Sequence, residues 1–177
     1  DIKSESASMG GMLFSATGSN LFFNVTQSVI ANNTPQNGFF YGLSDTMNFI
    51  ANYNIIYNNS GKIMINANPK YNLDYNYWGL NKSIDITLNN WIVVEPTVNP
   101  SEVMDGEDFK VTATLKVTDS EGNVNDLEKS IPQLTATFEY NNNEITKDIA
   151  QNTAETTFTF DKTAKEIKIN VLDETLT

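Results

Sequence analysis

From Phe109 onward the chain alternates. Phe109, Val111, Ala113, Leu115 and Val117 are apolar, while Lys110, Thr112, Thr114, Lys116 and Thr118 between them are polar. A period of two puts the first set on one face of a strand and the second on the other. The alternation returns at Leu134, Ala136, Phe138 and Tyr140, at Ala154, Thr156, Phe158 and Phe160, and at Ile167, Ile169 and Val171. Turn formers separate these stretches: Asp105-Gly106, Ser120-Glu121-Gly122-Asn123, Asn141-Asn142-Asn143 and Asp161-Lys162-Thr163. Such a series of strands and turns predicts an Ig-like antiparallel β-sandwich. Pro96, Pro100 and Pro132 fall at strand starts or edges, where a missing N–H is tolerated.

The first half has a different pattern. Residues 1–10 are small and polar and read as a tail or an opening strand. Beyond them, short apolar or aromatic runs are separated by Asn, Ser and Gly, and helical spacing is not sustained. The runs echo one another 26 residues apart: Met12-Leu13-Phe14 with Gly38-Phe39-Phe40, Leu21-Phe22-Phe23 with Met47-Asn48-Phe49, and Val29-Ile30-Ala31-Asn32-Asn33 with Ile55-Ile56-Tyr57-Asn58-Asn59. A second echo matches five of nine positions between Tyr53–Gly61 and Tyr71–Gly79. Repeats of this length fit the coils of a short right-handed parallel β-helix, each covering the apolar face of its neighbour. Asn at equivalent turns suits hydrogen-bonded ladders, because its side chain both donates and accepts and its backbone tolerates left-handed geometry. The competing reading is an irregular Asn-rich β-domain with coincidental echoes.

Charge and composition place a boundary between the halves. Residues 1–90 carry five acids (Asp1, Glu5, Asp45, Asp74, Asp85) and four lysines, whereas residues 91–177 carry 17 acids and seven lysines. Asn is divided the opposite way, 17 before Trp91 and 8 after it. The expected domains are therefore residues 1–90 and residues 91–177. The acids of the second half sit mostly at outward or loop positions, as on a solvated surface.

The 177-residue chain has no Cys, no His and no Arg. Disulfides, Cys or His zinc sites and His-based catalytic groups are thereby excluded. A net charge of −11 argues against nucleic acid and against an anionic membrane surface. No apolar run is long enough to cross a bilayer as a helix. Because the sequence opens at Asp1 without a Met or a signal peptide, it reads as a mature form or an excised segment, with any anchor outside it.

At the boundary stands Tyr75-Asn76-Tyr77-Trp78-Gly79-Leu80-Asn81. This stretch resembles the signature (Asn, Tyr or Trp, Trp, Gly, any residue, Asn) that closes β-helix regions in adhesin-like surface proteins of methanogenic archaea. In that family Ig-like repeats follow, and Trp91-Ile92-Val93-Val94 stands where the first of their strands opens. The resemblance runs from about Asn54 to the end of the chain and is sharpest in these seven residues. It implies an extracellular, cell-surface glycoprotein segment that attaches to a partner cell through a surface glycan or protein, with no cofactor. A passive stalk is the alternative role, and a polysaccharide-degrading β-helix enzyme a more distant one.

Several candidate sites follow. An open solenoid end exposes apolar interior and strand edges, so Asn76, Trp78, Gly79 and Asn81 read as its cap and Trp91 as the start of the next domain. Tyr71, Tyr75, Tyr77 and Trp78 are the alternative: an aromatic platform for sugar stacking. Asp119, Glu121 and Asn123 cluster oxygen atoms suited to calcium, although the full calcium-loop spacing is missing. Sequons begin at Asn24, Asn32, Asn58 and Asn81, and Asn32 and Asn58 risk burial if they are ladder residues. Lys110, Lys116 and Lys168 alternate outward, which argues against a core isopeptide bond. Asp45 and Asp74 are the acids that folding would have to bring together for glycan cleavage.

Overall fold

The computed structural model describes residues 12–16, 22–33, 38–42, 48–59, 64–65, 70–80, 86–164 and 166–177. Among these the chain is all-β, with sixteen strands and no helix. The first half contributes β1 (Met12–Ala16), β2 (Phe22–Thr26), β3 (Val29–Ala31), β4 (Gly38–Gly42), β5 (Asn48–Asn52), β6 (Ile55–Tyr57), β7 (Met64–Ile65) and β8 (Lys70–Asn72). They pair in parallel in three ladders, β1-β4-β7, β2-β5-β8 and β3-β6. Met12 lies opposite Gly38, Phe22 opposite Asn48 and Val29 opposite Ile55, which is the spacing of the sequence echoes.

The next rung is shorter. Asn48 pairs with Lys70 and Ile55 with Tyr77, an offset of 22 residues. The nine-residue echo therefore does not mark a rung: Tyr53 stacks on Tyr75, not on Tyr71, and Asn54 bonds Asn76, not Asn72. Register is set by which asparagines point inward, and residue-type matches elsewhere do not enter into it.

The inward asparagines follow left-handed corners. Gln27, Tyr53 and Tyr75 have φ of 51°, 58° and 58°, and each precedes an inward residue, Ser28, Asn54 or Asn76. Asn32 and Asn58 form a second column, with φ of 57° and 47°, before Asn33 and Asn59. Asn54 Oδ1 accepts from the Ser28 backbone N–H at 2.9 Å, and Asn76 Oδ1 accepts from the Asn54 N–H at 2.9 Å and from its Nδ2 at 3.0 Å. Asn76 Nδ2 in turn donates to the Ala51 and Leu73 carbonyls. In the second column Asn59 Oδ1 accepts from both the N–H and the Nδ2 of Asn33, each at 3.0 Å. Asn33, Asn54 and Asn76 are fully buried, so these amides satisfy backbone groups that water does not reach.

The second half contributes β9 (Asn90–Asn99), β10 (Asp108–Asp119), β11 (Val124–Asp126), β12 (Thr135–Tyr140), β13 (Asn143–Asp148), β14 (Thr153–Thr159), β15 (Ile167–Val171) and β16 (Glu174–Leu176). In one antiparallel sheet β10 pairs with β9 on one side and with β14 and β11 on the other; the second sheet runs β13-β12-β15-β16. The alternating positions are those that are buried: Phe109 to Val117 on β10, Ala136, Phe138 and Tyr140 on β12, and Ala154, Thr156 and Phe158 on β14. Both sheets share one apolar core, in which Phe109 meets Tyr140 edge-on at 5.2 Å and Tyr140 meets Phe158 at 5.5 Å.

The two halves are joined through the hydrogen-bonded ladder. Tyr77 bridges Ile55 on one side and Ile92 on the other, both in parallel. Tyr77 N–H donates to the Asn54 carbonyl at 2.9 Å, Ile56 N–H to the Tyr77 carbonyl at 2.8 Å, and Ile92 N–H to the Asn76 carbonyl at 2.9 Å. The β3-β6 ladder thus runs through Tyr77 into β9 and on to β10. Ile55 and Tyr77 also belong to the same apolar cluster as Ile92, Val94 and Val171. At the boundary expected near Trp91, pairing changes from parallel to antiparallel without a gap in bonding.

The ladder makes a quantitative demand. Asn76→Ala leaves the Asn54 N–H and two carbonyls without their partners, at about 1–3 kcal/mol for each buried group. Chemical denaturation is expected to show a loss of roughly 3–5 kcal/mol. The exposed Asn58→Ala is expected to cost under about 1 kcal/mol.

Candidate functional site

The end of the parallel ladders is built from Asp74, Asn76, Tyr77, Trp78, Gly79 and Trp91. Asp74 follows β8 in a turn and is almost wholly buried, at 7% exposure. Its carboxylate accepts from the Asn89 N–H at 2.8 Å, the Asn90 N–H at 3.3 Å and Asn89 Nδ2 at 3.0 Å. It therefore holds the chain that returns to start β9. Tyr77 is fully buried, and its hydroxyl donates to the Val171 carbonyl at 3.4 Å. Burial pushes this phenol well above its ordinary pKa, and the charge of Glu174 and a hydrogen bond to it push further in the same direction. Tyr77 thus ties the last rung of the parallel ladder to the β15-β16 hairpin.

Trp78 points to the opposite side. It packs with Ile30, Phe49, Ala51, Ile56, Leu73 and Leu88, and Trp91 packs against the same cluster. Because Tyr77 pairs with Ile92, Trp91 follows Ser28, Asn54 and Asn76 in the inward column. The amide ladder thus ends on an indole. Gly79, at φ +75°, lies so close to the end of β6 that a Cβ would stand 2.7 Å from Tyr57 Cβ. Only glycine meets both conditions at once. Asn81, the fourth expected cap residue, lies outside the described residues.

The four candidate platform residues do not form a platform. Tyr77 and Trp78 are core residues, while Tyr71 is 41% exposed and Tyr75 is half-buried. The polar ends of the ladder pull this stretch inward, so its aromatic rings alternate between two cores. Tyr75 stacks instead on Tyr53, with centroids 5.3 Å apart and planes within 8°. The Lys129 ammonium stands 5.1 Å from the Tyr53 ring centre. Tyr53 was not among the sequence candidates; the recurrence of Tyr-Asn at 53–54 and 75–76 was the signal that marks it.

The candidate calcium ligands are engaged with one another. Asp119 Oδ1 accepts from the Glu121 and Asn123 backbone N–H groups at 2.9 Å each, and Oδ2 from Asn123 Nδ2 at 2.8 Å. The Asn123 side chain, followed by its backbone N–H, holds the Asp119 carboxyl below the usual carboxylate range. These bonds close the β10-β11 turn. Among the described residues, no group of three or more acidic side chains is placed to hold a metal.

Asn24, Asn32 and Asn58 are exposed. Asn24 shares the outward face of β2 with Thr26 of its sequon. Asn32 and Asn58 stand at corners, bonded to each other at 2.6 Å, and the ladder positions are their neighbours, the buried Asn33 and the half-buried Asn59. The lysines considered for isopeptide chemistry are in surface ion pairs: Lys110 with Glu155 at 3.0 Å, Lys116 with Asp126 at 2.6 Å and Lys168 with Glu166 at 2.8 Å. Asp45 lies outside the described residues. No protein-family model matches the chain, and no curated protein or solved structure does so either.

Two outcomes follow from this end. Gly79→Ala meets both a left-handed backbone and the Tyr57 side chain, and is expected to cost about 2–4 kcal/mol. Gly106→Ala, at φ +87° with open space around it, is expected to cost only about 1–2 kcal/mol. The second outcome concerns alkali. The Tyr77 phenol keeps its proton in the folded chain at pH values where the unfolded chain releases it, so stability is fully present below pH about 10 and falls above it. Tyr77→Phe is expected to flatten that fall in urea titrations between pH 9 and pH 11.

Proposed function

We propose that the three parallel ladders are coils of a short right-handed parallel β-helix, and that the two antiparallel sheets are an Ig-like sandwich. Together they act as an extracellular, cell-surface segment that attaches to a partner cell through a surface glycan or protein, without catalysis. The observation that carries this reading is the ladder running through Tyr77 into β9. Such a joint transmits tension through backbone hydrogen bonds and keeps a fixed angle, as a segment that presents a contact surface to another cell requires. The register of 26 and then 22 residues supports stacked coils, and the likeness of Tyr75–Asn81 to adhesin-like archaeal surface proteins supports the setting. The exposed Asn24, Asn32 and Asn58 suit a glycoprotein. The Asp74 carboxylate is spent on holding Asn89 and Asn90.

The same joint favours a second reading, a stiff spacer that holds other parts of a longer protein away from an envelope. Fluorescently labelled chain added to candidate partner cells distinguishes the two. Attachment predicts saturable binding displaced by unlabelled chain; a spacer predicts none. Release of reducing sugar from a polysaccharide panel would overturn both in favour of an enzyme.

A further inference from the structure

We propose that the crevice between the Tyr53–Tyr75 corner and the β11 edge is a binding site for a neutral, hydroxyl-rich glycan. The inference deepens the attachment reading and rests on it. The crevice has a volume of about 280 Å³, at the small end of ligand sites. The coils supply Tyr53 and Tyr75, and the joint supplies Asn90. The antiparallel half supplies Asn125, Asp126 and Glu128, with buried Val117 as an apolar floor. Neither half forms the crevice alone, and the ladder through Tyr77 fixes its width.

The chemistry of the lining fits a sugar. Vicinal hydroxyls pair with carboxylates and side-chain amides, which offer two acceptors or a donor and an acceptor side by side. The apolar C–H face of a pyranose packs on aromatic surface and on an apolar floor. Charge narrows the class. Asp126 is paired with Lys116 at 2.6 Å, and the Lys129 ammonium stands over Tyr53 near Glu128 in sequence. Lys116 also stands 4.0 Å from Glu95, so carboxylates outnumber lysines around the crevice and the local field is weakly negative. The overall charge of −11 disfavours acidic sugars.

The corner itself adds an argument. A bulky residue at positive φ is uncommon, and Asn is the cheaper occupant. The other corner column uses Asn32 and Asn58. Tyr stands at the two positions that line the crevice, while Gln27, which heads the same column, does not line it.

The test applies the whole chain to an array of neutral hexose and N-acetylhexosamine oligosaccharides, with a lysine-rich peptide in parallel. Asn125→Ala and Glu128→Gln change exposed side chains and are expected to leave Tm unchanged. The expected result is saturable binding of at least one neutral oligosaccharide, weakened ten-fold or more by either variant. Tyr75→Ala is expected to abolish it, with Tm measured alongside. Glycan binding that both exposed variants leave intact overturns the proposal. So does binding of the peptide alone, or of neither probe. Cells keep the two readings apart. If both variants bind partner cells as well as the parent chain does, the crevice fails and attachment stands; if the parent chain does not bind cells, attachment fails.

Discussion

The buried amide ladder is the constraint on which the rest of the first half depends. At each left-handed corner the chain turns inward and presents backbone N–H and C=O groups to an interior without water. Asn54 and Asn76 meet that demand from the next rung of the ladder, each giving and receiving at the same time. An apolar residue of the same size would fill the space and leave the backbone unpaired. A charged one would add a desolvation cost of several kcal/mol. The amide is the one side chain of that length that is neutral and also two-sided, so the register of the parallel ladders follows the asparagines.

The ladder has to stop somewhere, and the way it stops creates the joint. Trp91 replaces the amide in the inward column, and Trp78 fills the neighbouring space in the same apolar cluster. On the other side of the same segment Tyr77 enters the core of the antiparallel half. Adjacent residues thus serve two cores, because successive side chains of an extended chain point in opposite directions. Closing the parallel ladders and anchoring the antiparallel sheets are two faces of one short extended segment. For this reason separating the halves at Trp91 would open both.

Much of this architecture could be read from the sequence, and the failures have physical causes. The alternation from Phe109 identified the buried face because a period of two maps directly onto a strand. The 26-residue echoes identified the first rung because apolar runs recur wherever a coil buries them. The second rung was missed because the echo between Tyr53–Gly61 and Tyr71–Gly79 scored residue types without regard to which side they face. The joint was missed for a different reason: it is a bridge of one residue, Tyr77, too short to leave any periodicity. The same blindness to facing explains the aromatic platform. Four aromatic residues within eight positions look like a surface, whereas the pleat and the ladder send Tyr77 and Trp78 inside and leave Tyr75 to pair with Tyr53.

The opposed distributions of Asn and of charge follow from the two kinds of pairing. In a parallel stack of repeats, equivalent residues recur on one column about 4.8 Å apart. A charged position repeated from coil to coil would therefore place like charges next to one another, each pair costing about 1 kcal/mol even in water. Neutral polar residues escape that cost and gain ladder bonds, as Asn32 with Asn58 and Asn52 with Asn72 do on the outside. Antiparallel strands have no such repeat. Their cross-strand neighbours come from unrelated sequence, so opposite signs meet at Lys116 opposite Asp126 and Lys110 beside Glu155, while Glu139 opposite Glu144 is a single like-charged pair that no repeat multiplies. The acidic surface of the second half and the Asn-rich neutrality of the first are thus the same electrostatic rule applied to two ladder geometries, and the change of composition falls where the ladder changes direction.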